Sequence, residues 1–140
     1  MSVTALPPVP APFYFNAWVL EWHDADTVLC RVDRGRRDYS TWSVRVLGSS
    51  AREVPNPPFT KGEPGGPEAQ AEATRRWPAG TPLVLATVKP DKYGDRQLAR
   101  VIAHDPLRGS VDVATELIAD LWAAPWNGRG APPKPPWPRP

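Results

Sequence analysis

Three runs of alternating apolar residues, a short amphipathic stretch, two more such runs and a second amphipathic stretch predict a mainly β domain with added α. The class is a five-stranded barrel of the OB type carrying two helices. Two further observations narrow it. At 140 residues the chain has the length of one domain, and its 41% hydrophobic content suits the modest core of a small barrel. Proline-rich stretches at both ends, residues 1–12 and 125–140, leave 13–124 as the folding unit. Element order alone also fits other small α+β folds.

Residues 1–12 hold four prolines and almost no charge, and read as an extended arm. Phe13–Trp22 is dense in aromatic and β-branched residues and reads as a first strand. The turn His23-Asp24-Ala25-Asp26 leads to a second, Thr27–Arg34, with Val28, Cys30 and Val32 on one face. A polar loop, Asp33–Tyr39, separates it from a third run in which Trp42, Val44 and Val46 alternate with Ser43 and Arg45. Gly48–Gly66 is so dense in proline and glycine that it reads as a long loop without regular structure, the kind that often carries function. Pro67 opens a short helix to Trp77, with Glu68 and Glu72 in its N-terminal half and Arg75 and Arg76 at its end. Leu83–Val88 and Leu98–Ala103 read as two further strands joined by a polar turn. Asp112 can cap a second helix with Val113, Leu117, Ile118, Leu121 and Trp122 along one stripe. From Pro125 the composition favours polyproline II and reads as a solvated tail.

A net charge of +2 is too small to imply nucleic-acid binding by itself. Thirteen of the 17 cations are arginine, which forks onto phosphate where lysine acts as a point charge, although a coding bias toward Arg, Ala and Pro gives the same count. Cys30 is the only cysteine, so an intrachain disulfide and a cysteine zinc site are excluded, and it reads as a small buried hydrophobe. His23 and His104 read as a strand-end and a loop histidine rather than ligands. No signal-peptide pattern and no apolar run of membrane-spanning length is present, so a cytoplasmic protein is expected.

Val19–Glu53 holds the chemistry. An acidic pair, Asp24 and Asp26, sits at one end of a hairpin, Arg45 lies within its second strand, and an isolated Glu53 follows. Alone, the acidic pair describes a solvated turn and Arg45 a surface residue paired with a neighbouring carboxylate. Together they are the parts for attack on a phosphodiester: carboxylates for a hard cation, a guanidinium for the phosphate, and a base for water.

Four local motifs, in order, resemble the staphylococcal nuclease family. Asp24-Ala25-Asp26-Thr27 is similar to the family's Asp-Gly-Asp-Thr, and Val44-Arg45-Val46-Leu47-Gly48 running to Glu53 resembles its strand ending in Asp-x-Pro-Glu. Asp91-Lys92-Tyr93-Gly94 followed by Leu98-Ala99 is similar to the turn bearing its second catalytic arginine. Lys61-Gly62 and Gly66-Pro67-Glu68-Ala69 resemble its entry into the first helix. The likeness extends from about Val19 to Trp122. It implies an OB barrel and calcium-dependent hydrolysis of DNA and RNA. Asp26 is then a metal ligand, Arg45 and Arg96 are phosphate clamps, Glu53 is the base, and Lys92 and Tyr93 stand near the bound nucleotide.

The departures bear on activity. Ser50 stands where the family has its second metal-binding aspartate, Arg52 replaces a proline, and Ala25 replaces a turn glycine. Gly94–Leu98 is one residue longer than the pattern, so Arg96 must reach the site through a bulge or not at all. Losing one carboxylate implies weak Ca²⁺ binding, near the millimolar end of the range, with Asp24 compensating or Mn²⁺ taking the place. Two other readings stand beside the hydrolase. One is a non-catalytic module binding nucleic acid or protein; the other is a component of a phage or other assembly, its proline-rich tail tied to a protein partner.

Overall fold

The computed structural model describes residues 13–90 and 96–135. The elements in chain order are β1 (Tyr14–Asp24), β2 (Thr27–Asp33), β3 (Tyr39–Val46), β4 (Gly48–Ala51), α1 (Gly66–Arg76), β5 (Pro82–Pro90), β6 (Gln97–Asp105), β7 (Gly109–Asp112), α2 (Val113–Ala119) and β8 (Ala123–Trp126). The main sheet runs β3-β2-β1-β5-β6-β7, and β3 also pairs with β6. That parallel pairing, Arg45 opposite Leu98 and Val46 opposite Ala99, closes β1, β2, β3, β5 and β6 into a five-stranded barrel. The protein is therefore mainly β, a closed barrel with two helices.

Period-two patterning explains the interior. Val28, Cys30 and Val32 of β2 meet Val44 and Val46 of β3, with Leu83, Leu85, Ala99, Val101 and Ala103 from β5 and β6. Burial holds the Cys30 thiol at a pKa of about 12, so it packs as an inert apolar group. In β1 the alternation slips: register shifts between Val19 and Glu21 and again between Trp22 and Asp24 turn Trp22 inward and tighten the strand at its end. Trp22 Nε1 donates to the Trp77 carbonyl at 2.9 Å, and the two rings lie 5.9 Å apart. With Ala69 and Ala73 buried beneath it, this contact docks α1 across the end of β1.

Several expectations need correction. Gly48–Gly66 is not wholly irregular, because Gly48–Ala51 is β4, paired antiparallel with β8. A strand also precedes α2: β7 pairs Val111 with Ala103. The second helix ends at Ala119 rather than continuing along the apolar stripe. Leu121 takes a positive φ of 64° and is 38% exposed. Asp112 occupies the N-cap position without capping a backbone N–H; its Oδ2 accepts instead from Thr115 Oγ1 at 2.6 Å. Among the described residues no helix is long and apolar enough to cross a membrane.

Candidate functional site

The β1–β2 turn is two residues, Ala25-Asp26, and it folds the Asp26 carboxylate back against the barrel rather than into solvent. Asp26 is only 6% exposed. Its Oδ2 accepts from the Ala51 amide at 2.7 Å, and its Oδ1 accepts from Thr27 Oγ1 at 3.0 Å. Arg45 stands opposite Thr27 in the β2–β3 pairing, so its guanidinium reaches the same carboxylate and Nη1 makes a direct ion pair with Oδ2. Arg45 is 8% exposed, and its guanidinium lies 5.1 Å from the centre of the Trp126 ring. A carboxylate below and an aromatic face above thus fix this cation in place.

Asp24 is half-buried, and its Oδ1 accepts from the Val54 amide at 2.7 Å. Burial raises its pKa above the ordinary carboxyl value, against the Val54 hydrogen bond that lowers it, and the nearby Asp26 charge adds to the rise. Together the two aspartates tie residues 51–54 to the barrel end. This is why Glu53 sits beside them.

Glu53 is exposed, and Oε2 accepts from Thr60 Oγ1 at 2.9 Å. Its backbone is clamped twice to Glu63: Glu53 N donates to Glu63 Oε1 at 3.0 Å, and Glu63 N donates to the Glu53 carbonyl at 2.9 Å. Gly66 makes that close approach possible, since a Cβ there would fall 1.9 Å from the Glu53 carbonyl oxygen.

Asp24, Asp26, Arg45, Glu53 and Arg96 all line one pocket of about 180 Å³. The β5–β6 pairing shifts register between Ala86 and Lys89, while Gly94 and Asp95 of the lengthened turn lie outside the described residues. Lys92 and Tyr93 lie outside the described residues. Arg52 does not line the pocket. Its Nη2 donates to the Pro135 carbonyl at 2.5 Å, and Nη1 stands 3.8 Å from Glu63 Oε2.

Three lining residues come from a part of the chain that composition assigns to a solvated tail: Trp126, Pro132 and Lys134. Lys134 Nζ lies 3.1 Å from Glu63 Oε1. Their only sequence signal is an aromatic and a cation outside the periodic core pattern.

The donors available to a hard cation are the two aspartates, one already paired with Arg45. Ser50 is buried beside them and adds no charge. Among the described residues no group of three or more His, Cys, Asp or Glu side chains could hold a metal ion. Two aspartates, one of them engaged by Arg45, are too few to cage a hard cation by themselves. No protein-family model matches the chain, and no curated protein matches it.

Proposed function

We propose that the chain is a small nuclease of the staphylococcal nuclease type, an OB-type barrel hydrolysing phosphodiester bonds of DNA and/or RNA. The observation that carries this reading is the convergence of Asp24, Asp26, Arg45, Glu53 and Arg96 on one pocket from four separated stretches of sequence. Arg45 and Arg96 bind the scissile phosphate. Asp26 engages Nη1 of Arg45, and a guanidinium carries five N–H donors, so the fork retains others for phosphate oxygens. Each well-placed donor stabilises the developing charge by roughly 3 kcal/mol.

Glu53 accepts a proton from water as the water oxygen bonds to phosphorus. The opposite P–O ester bond breaks, and the departing oxygen takes a proton from solvent. General-base assistance of this kind contributes about two to four powers of ten in rate. Asp26 and Asp24 would hold Ca²⁺, weakly, or Mn²⁺, and the ion when bound polarises the phosphate and orients the water.

A second reading, a non-catalytic module that binds nucleic acid or protein, draws on the direct Asp26–Arg45 pair and on Ser50, which together leave little charge for an ion. Digestion of plasmid DNA and of RNA in Ca²⁺, Mn²⁺ or chelator, beside Arg45→Ala, separates the two. Cleavage that needs an ion and Arg45 supports the nuclease. Equal activity with and without Arg45 dismisses the site, and binding without cleavage in every ion favours the module.

A further inference from the structure

We propose that the C-terminal segment Pro125–Pro135 is a working wall of this pocket and that Lys134 is a substrate-binding residue. It takes a backbone phosphate next to the one held by Arg45 and Arg96. The inference rests on the phosphodiester reading above.

The segment is fastened at both ends. β8 pairs with β4, placing Ala51 opposite Ala123 and Gly48 opposite Trp126, directly beside the Asp26 carboxylate. Nine residues beyond Trp126, Arg52 Nη2 donates to the Pro135 carbonyl at 2.5 Å. Pro132, Pro133 and Pro135 flank Lys134 and restrict that part of the chain between the two fixed points, so it can form a wall without a core of its own.

Lys134 sits on that wall with a side chain 36% exposed, and Glu63 is its partner. Such an accessible pair contributes only about 0–1 kcal/mol, so a phosphate can displace the carboxylate at little cost. Glu63 is not stranded by the exchange, because it also accepts from the Glu53 amide and faces Arg52 Nη1. The ligand chemistry is the phosphodiester backbone of a single-stranded oligonucleotide, deoxyribose or ribose.

The test is binding of the full chain, carrying Glu53→Gln to suppress turnover, to short labelled DNA and RNA single strands across a range of salt. Lys134→Gln should weaken binding about 5-fold at low salt and reduce the slope of log K against log salt by about 0.7, the value of one phosphate contact. Lys134→Arg should restore the slope, and Glu63→Gln should leave it unchanged. An unchanged slope in Lys134→Gln, while Arg45→Met lowers it, overturns this inference and leaves the functional reading standing. Tighter binding by Lys134→Gln, as removal of a plug would give, also overturns it. No binding by the parent chain, or no effect of Arg45→Met, removes the functional reading and this inference with it.

Discussion

Replacing Asp26 by asparagine removes one charge from the most enclosed ion pair near the pocket. The wild-type carboxylate serves three donors: the Ala51 amide, the Thr27 hydroxyl and the Arg45 guanidinium. An amide keeps one oxygen, enough for the Ala51 N–H, and its NH₂ can donate to the Thr27 hydroxyl. Nothing replaces the charge facing Arg45, which is 8% exposed. Removing one partner of a buried pair costs about 3–5 kcal/mol, and the open pocket mouth places this case at the lower end, about 3 kcal/mol. For a chain of this length that is a fall in Tm of about 10 °C.

Urea denaturation followed by tryptophan fluorescence measures the cost, because Trp22 and Trp77 are buried in contact with each other. Arg45→Met should cost a similar amount. The double variant should cost little more than either single change, for a coupling of about 2–3 kcal/mol. A single-variant cost below about 0.5 kcal/mol, or additive costs in the double variant, refutes the argument that the pair holds this end of the barrel.

Two more outcomes follow from the same contacts. Gly66→Ala places a Cβ against the Glu53 carbonyl, so the loop must move. Thermal melts should show a loss of about 1–3 kcal/mol, and nucleolytic rate should fall by about two powers of ten as Glu53 shifts. Glu72 is held at a pKa of about 2 by hydrogen bonds from Arg75 first and Arg76 second. A depressed carboxyl pKa means stability that is present above about 4.5 and lost as the pH falls toward 2. Glu72→Gln should therefore lower Tm by about 3 °C near pH 7, as fits a partly covered surface network worth about 1 kcal/mol, and the deficit should shrink to near zero as the pH falls to 2.

The barrel was legible wherever burial is one-sided. Val28, Cys30 and Val32 declare β2, and Val44 and Val46 declare β3, because each must face inward at every second position. β4 was not. Gly-Ser-Ser-Ala contains no β-branched or aromatic residue, and its partner β8 lies far along the chain, so only tertiary pairing makes it a strand. The site divides the same way. Asp24, Asp26 and Arg45 lie on the consecutive strands β1, β2 and β3 and the turn between the first two, so local sequence order brings them together. The two aspartates hold Glu53 beside them through the Ala51 and Val54 amides. Trp126 and Lys134 reach the pocket through the β4–β8 pairing and the Arg52–Pro135 contact, neither of which has a sequence pattern. Proline content correctly says that residues 125–135 build no core, but it carries no information about what they lie against.

Glu53→Gln isolates the chemistry most directly, because Glu53 is exposed and the amide can still accept from Thr60, leaving the fold in place. Single-turnover cleavage of a labelled oligonucleotide in saturating Ca²⁺ or Mn²⁺ should slow by about two to four powers of ten, with the melting temperature and substrate affinity retained. A rate within about threefold of wild type under those conditions would mean that this pocket performs no base-assisted hydrolysis.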